Sequence, residues 1–395
     1  MHGIWKAAVG GAALLVLGAA APVPDRWAPA WTASMWEAAD AKQQVVVENT
    51  TLRFAVRVGA AGDKLRLNLS NQYGAPLRIG AASVRIAGGK TVAVTFGGQA
   101  STAMPANAIL TSDAAPLAVK PFDVVEVSLY VPERAVLNTV HAAAGAKTLV
   151  SAPGDHTASA FEPVARFDNR PLLAGVEVLG AKARPVVVAF GDSITDNVGC
   201  ALDATPVCRW GDVLARRLAD AGRPHVVVTQ AISGNRVLNR GTGPSALERF
   251  DRDVLALPGV THVVLLEGIN DIGGSGRARP DGTSAPTITA EQLIAGYRQL
   301  IDRAHARHIK VMALTILPFQ GAGYYTDAGE AMRVTVNDWI RTSGAFDAVF
   351  DMEKVVADPA NPKRLDPALQ RGDNLHPDGR GETRMGEAIP LEWFR

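Results

Sequence analysis

The spacing of hydrophobic and polar positions along this chain changes once, near residue 180. Before that point apolar residues recur at every second position in short runs. These are Thr51–Val58, Lys64–Ser70, Val84–Ile86, Val92–Phe96, Val124–Val131 and Thr148–Ser151. Such alternation sends successive side chains to opposite faces of a strand. Gly, Pro and Asn separate the runs, as in Asn71-Gln72-Tyr73-Gly74-Ala75-Pro76. From Trp31 to Gly180 the pattern predicts many short antiparallel strands in an all-β sandwich or jelly-roll-like domain.

From Arg184 onward the apolar runs are continuous, as in strands buried on both faces. They are Pro185–Phe190, His225–Ile232, His262–Glu267, Lys310–Leu317 and Ala348–Met352. Between them Arg209–Ala221, Ser245–Leu257, Thr289–Arg307 and Ala328–Thr342 carry helical spacing. Strands alternating with helices predict a parallel sheet with right-handed crossovers. A three-layer α/β/α domain of about five strands follows, in the flavodoxin-like order. The expected division is a leader over 1–28, a β-sandwich-like accessory domain over 29–180 and the α/β domain over 184–395. The longest irregular stretch, Gly273–Pro286, is rich in Gly, Pro and Arg. A loop of that length is more often functional than idle.

Composition changes this picture at the N-terminus. Lys6 precedes an apolar stretch, Ala7–Ala21, followed by small residues. That is the pattern of a secretory signal peptide, and it is short for a membrane span. An uncleaved N-terminal anchor is the alternative. The chain is therefore expected to be secreted or periplasmic, with no stable membrane insertion after signal removal. In an oxidising compartment Cys200 and Cys208 are expected to form a disulfide closing a short loop. Two thiols with no histidine nearby do not make a metal site. A formal net charge of +1 gives no reason to expect nucleic acid as a partner.

The chemistry begins where the run Val186–Phe190 stops at Gly191 and Asp192-Ser193 follow. Ligands of open parallel sheets gather at the carboxyl ends of the strands. Ser193 is thus a candidate nucleophile. It needs a base, a group that orients the base, and donors for the oxyanion. Of eight histidines, His2 lies in the leader, and His305 and His308 end a helix. His225 and His262 open strands, and His141 and His156 lie in the β half without an assigned role. His376 follows Gly372-Asp373-Asn374-Leu375, and on a tight turn Asp373 can reach its Nδ1. The backbone N–H groups of Ser193 and Gly234 and the side-chain amide of Asn270 are candidate oxyanion donors. Taken singly, each has a plainer reading: a turn aspartate, a strand-to-loop glycine, a turn asparagine.

Taken together, Gly191-Asp192-Ser193, Gly234, Gly268-x-Asn270-Asp271 and Asp373-x-x-His376 resemble the SGNH (GDSL) hydrolase family over Arg184–Arg395. The resemblance implies that Ser193 is the nucleophile, His376 the base and Asp373 its orienting carboxylate. It implies that Ser193, Gly234 and Asn270 form the oxyanion hole. Asp192 and Asp271 become supporting loop anchors. Trp31-Thr32-Ala33-Ser34, Leu67-Asn68-Leu69-Ser70-Asn71 and Ser128-Leu129-Tyr130 are similar to the accessory domain of a secreted bacterial subgroup. One departure is Asn197, where many relatives have glycine.

The expected function is a secreted serine esterase, without metal or cofactor, acting on acetyl or other short acyl esters of carbohydrate. The ester is small or polymer-borne, possible glycans included. The alternatives are an acyltransferase at the same site and a lipid or aryl ester hydrolase. A further alternative is a non-catalytic glycan-binding protein using Trp27, Trp31 and Trp36. Phosphate-loop, dinucleotide and zinc motifs are absent from the sequence. The expected pocket lining is Gly273–Pro286, Cys200–Cys208 and Phe319–Tyr325. Tyr324, Tyr325 and Arg277 or Arg279 are candidates to meet a sugar or an acidic group.

Overall fold

The computed structural model describes residues 26–38, 40, 43–142, 147–180, 184–196, 200, 207–278 and 282–395. The leader segment 1–25, Asn197 and Arg279 lie outside the described residues. The first strand, Arg26–Thr32, begins within the segment 1–28 and pairs with Leu173–Gly180, Arg26 opposite Gly180.

The N-terminal region is all-β and antiparallel. One sheet runs, in spatial order, through Arg26–Thr32, Leu173–Gly180, Lys64–Asn71 and Ala108–Thr111. A six-stranded sheet is centred on Thr50–Arg57 and Val124–Val131, with Phe54 opposite Val127. Alternation decides what each strand buries. In Lys64–Asn71, Leu65, Leu67 and Leu69 are wholly buried. They join Phe54, Val56 and Val127 of the other sheet in one continuous core. The shorter strands, among them Val45–Val47, Ala135–Leu137 and Asn169–Pro171, have too few residues to show a period.

The C-terminal region is an open parallel sheet. Its strands are β1 (Val186–Gly191), β2 (Val226–Ala231), β3 (Val260–Leu266), β4 (Lys310–Leu314) and β5 (Ala348–Phe350). They lie in the order β2-β1-β3-β4-β5, all parallel. This is the flavodoxin-like order, and every residue of the inner strand β1 is buried. The helices are α1 (Ser193–Asp196), α2 (Trp210–Asp220), α3 (Ala246–Phe250), α4 (Ile269–Gly274), α5 (Ala290–His305), α6 (Asp327–Thr342), α7 (Met352–Val356) and α8 (Gly379–Ala388). Ser245 and Glu248 close a capping box on α3, and Thr289 and Gln292 close one on α5. Each box satisfies two otherwise orphaned backbone donors.

Two expected elements differ in detail. The helix expected over Ser245–Leu257 is α3 followed by a π-helical turn, Asp251–Leu255. The strand expected over Lys310–Leu317 ends at Leu314. Beyond it, the Ile316 N–H donates to Asn337 Oδ1 (2.8 Å), and the Ile316 carbonyl accepts from Asn337 and Arg333. Side chains of α6 replace the sheet ladder there, so the segment is apolar because it is buried.

The β region leans on the edge strand β2. Thr32 donates to the Thr229 carbonyl (2.9 Å), and Ser34 donates to Gln230 (2.6 Å). Trp36, Ala38, Val140 and Ile232 form a small buried cluster at this joint. Arg66 covers the Trp27 ring and Arg170 the Trp31 ring. All three early tryptophans are therefore engaged in packing. Among the described residues no helix is long and apolar enough to cross a membrane.

Candidate active site

Strand β1 ends in a glycine for a steric reason. A Cβ on Gly191 would fall 2.2 Å from the Leu266 carbonyl oxygen of β3 and 2.3 Å from Thr195 Oγ1. The next residue, Asp192, starts the turn. Its Oδ1 accepts the Ile194 N–H (3.0 Å), and its carbonyl accepts the N–H groups of Thr195 and Asp196. Ser193 becomes the first residue of α1, at the carboxyl end of the inner strand. Past α1, Cys200 and Cys208 are joined by a disulfide, with a Cα–Cα distance of 6.1 Å.

The Ser193 hydroxyl donates to His376 Nε2 at 2.8 Å. His376 Nδ1 in turn donates to Asp373 Oδ2 at 2.8 Å. The tautomer follows from the partners: a carboxylate accepts, so the proton sits on Nδ1 and Nε2 is left to accept. Asp373 does two things at once. Its Oδ1 accepts the backbone N–H groups of Leu375 and His376 (3.0 and 2.9 Å), which folds the turn, and its Oδ2 orients the ring. Asn374 holds the left-handed conformation this turn requires, at φ 58, and asparagine tolerates it better than most residues. Burial pushes the Asp373 carboxyl up. Hydrogen bonds from the His376 N–H, the His376 ring and the Leu375 N–H outweigh it and hold the group below the ordinary value.

The proposed oxyanion residues lie at the ends of the flanking strands. Gly234, at φ 80, turns the chain after β2. Asn270 stands in the first turn of α4, after β3. Its Nδ2 donates to the Asn235 carbonyl (3.0 Å), and its Oδ1 accepts from the Tyr324 hydroxyl (3.3 Å). The amide has a second hydrogen, with no acceptor among the described residues. Asp271 takes the N–H groups of Val237 and Leu238 (2.7 and 3.0 Å), so the loop after β2 is tied to α4 by two adjacent side chains. Direct hydrogen bonds thus join Ser193, His376 and Asp373, while Asn235 links the Gly234 turn to Asn270.

Residues 189–384 match the GDSL-like lipase/acylhydrolase family. This α/β region is a GDSL-like lipase/acylhydrolase domain. Its GDSL-like domain is similar to several solved structures. One is a carbohydrate acetylesterase from Sinorhizobium meliloti, 15% identical, covering 52% of this chain and 96% of that one, with a TM-score of 0.39. A psychrotrophic esterase from a Pseudoalteromonas species is 17% identical, covering 51% and 92%, with a TM-score of 0.37. A lipase/acylhydrolase from Enterococcus faecalis is 20% identical, covering 51% and 92%, with a TM-score of 0.37. No curated protein matches the chain.

Beneath the GDSL-like site lies a group of buried charges that sequence reasoning missed. Arg249, fully buried, donates to the carbonyls of Gly191 and Gln230, to Asn235 Oδ1, to Ser34 Oγ and to Asp253. Its guanidinium also lies over the Phe190 ring, 4.0 Å from the centroid. Burial raises the carboxyl of Asp192 to about 7 and that of Glu267 well above the ordinary range; Asp271 adds to both, and Asp192 adds to Glu267. Burial likewise pushes Asp271 up to about 6, against the pull of the Val237 and Leu238 N–H groups.

His141, given no role by its sequence context, reaches the site from the β region. Its Nδ1 bonds the Ser34 carbonyl (3.0 Å) and its Nε2 bonds Asp196 Oδ1 (3.1 Å), both buried. The other Asp196 oxygen accepts from Ser233 (3.1 Å). Asp196 closes α1 and Ser233 precedes Gly234, so His141 braces the Ser193 turn to the Gly234 turn from outside the α/β domain. Nothing local marks it, because its partner is 55 residues away on another domain. His141→Ala leaves a buried carboxylate short of a partner. It is expected to cost about 1–3 kcal/mol of stability and to lower kcat more than it raises KM. Denaturant unfolding and steady-state kinetics check both; an unchanged kcat would show that the brace has no bearing on the site.

Proposed function

We propose that the protein is a serine-dependent carboxylic ester hydrolase releasing acetyl or other short acyl groups from carbohydrate esters. The observation that carries the proposal is the unbroken relay from Ser193 through His376 to Asp373, with both links at 2.8 Å. In the proposed mechanism Ser193 Oγ attacks the ester carbonyl while its proton passes to His376 Nε2. Asp373 stabilises the imidazolium that forms. The Ser193 and Gly234 N–H groups and the free hydrogen of the Asn270 amide receive the oxyanion. Collapse of the tetrahedral intermediate breaks the bond to the alcohol, which leaves with the proton from His376. Water, deprotonated by the same nitrogen, then attacks the acyl-enzyme, releasing the acid and restoring Ser193.

The short acyl group is supported by what surrounds the nucleophile. Asn270, Tyr324 and Asp373 are polar groups that suit an alcohol rich in hydroxyls rather than a long alkyl chain. Export is part of the reading; it is supported by the Ala7–Ala21 stretch and the Cys200–Cys208 disulfide. A chain-length series of nitrophenyl esters beside acetylated xylan tests the proposal. Acetate and butyrate are expected to be cleaved fastest, with acetate released from the glycan. A steep preference for long acyl chains would overturn it, and acyl transfer to added sugar in place of free acid would make the protein a transferase.

A further inference from the structure

Arg236 comes two residues after Gly234, and its guanidinium fills the place that a side chain at Gly274 of α4 would take. A Cβ on Gly274 would fall 2.4 Å from its Nη2 and 2.8 Å from its Cζ. A Cβ on the adjacent Gly273 would fall 2.2 Å from the Tyr324 ring. The Gly273-Gly274 pair therefore seats a cation and a phenol next to each other. The phenol bonds Asn270, which bonds Asn235, the residue before Arg236.

This cation has no anion of its own. Arg236 Nε is buried and lacks a hydrogen-bond partner among the described residues, and the guanidinium enters no ion pair among them. Asp271 is near enough to be pulled down by its charge, yet both Asp271 oxygens are taken by Val237 and Leu238. The contrast with Arg209, Arg249 and Arg333 is plain, since each of these is matched to a carboxylate. Arg277, exposed on the loop after α4, adds a second charge. The Tyr324 hydroxyl, raised mainly by burial, feels Asp192, Asp373, Arg277 and Arg236 together, so both cations act on the phenol that bonds Asn270. A half-buried guanidinium without a counter-ion bears a desolvation cost that an incoming anion removes. Its planar fork matches a carboxylate in bidentate fashion.

We propose that Arg236, with Arg277 as an outer cation, binds a carboxylate on the alcohol part of the substrate, so that the preferred ester is an acylated sugar acid. This rests on the hydrolase reading above and narrows it. The test is equilibrium binding to the full-length Ser193→Ala protein, which reads affinity without turnover. The probes are an acetylated methyl galacturonoside and the matching acetylated methyl galactoside. The acid is expected to bind roughly tenfold more tightly at low salt, with the advantage shrinking as salt is added. Adding Arg236→Gln is expected to bring the two affinities together. Arg277→Gln, an exposed change that leaves the fold intact, should reduce the preference by roughly threefold and decides the matter if the Arg236 variant does not fold. Equal affinities in Ser193→Ala, or a preference unmoved by either arginine change, would overturn the proposal. Failure of the unmutated chain to cleave any ester would instead overturn the hydrolase reading, and the affinities would still judge Arg236.

Discussion

Ser193→Ala is expected to lower kcat on nitrophenyl acetate by about four orders of magnitude or more while leaving the fold intact. In the proposed mechanism the hydroxyl bonds to the acyl carbon, and alanine offers no substitute for it. The residual rate would come from the oxyanion donors and from binding alone. His376→Ala should cost about as much as the serine change, and the double variant little more than either, because the three residues act as one unit. The fold should tolerate the serine change well. Among the described residues the Ser193 hydroxyl bonds His376 alone, and the turn itself is held by Asp192, whose carboxylate and carbonyl take the backbone N–H groups. Matching thermal midpoints alongside the kinetics would separate lost chemistry from lost structure. Activity within tenfold of the parent would remove Ser193 from the mechanism.

Arg249→Leu is expected to be the most damaging change away from the reacting atoms, costing about 3–5 kcal/mol of stability. Its true ionic partner is Asp253. Burial pushes the Asp253 carboxyl up, but Arg252 and Arg249 outweigh that and hold it below the ordinary value. Glu267 lies farther from Arg249, at 3.5 Å. Its carboxyl is raised by burial and by Asp192, against the pull of Arg249. Leucine would leave Asp253 to Arg252 and Ser34. It would also strip donors from the carbonyls of Gly191, at the nucleophile turn, and Gln230, at the end of β2. Asn235, which donates to the carbonyls of Thr242 and Pro244, would lose the contact that orients it. Urea unfolding measures the cost. A loss below about 1 kcal/mol would show that the surrounding groups find other partners, as surface pairs do.

The α/β half was readable from sequence because its strands are buried on both faces. Val186–Gly191 is apolar without interruption, and helices of regular spacing follow each strand, so class and strand order come out together. Where backbone bonds go to side chains, pattern misleads. The run past Leu314 looks like strand, yet Asn337 and Arg333 hold it as loop. The β half was readable as a class, and its long strands were found by alternation, but pieces as short as Trp36–Glu37 carry too few positions to register. The serine, the Asp373–His376 turn and the two oxyanion loops announce themselves by local sequence. His141, Arg249 and Arg236 do not. Each acts through a partner that only the tertiary fold brings near: His141 through Asp196, Arg249 through Ser34 and Gly191, and Arg236 through Gly274. The one local hint was Gly273-Gly274, two adjacent positions without a side chain on a helix beside the site.

Labelling by a serine-reactive organophosphonate tests the central claim most directly. One equivalent should attach to the native protein, with the added mass on the peptide carrying Ser193 and none on folded Ser193→Ala. A folded protein that takes no label, or takes it at another residue, would contradict the account.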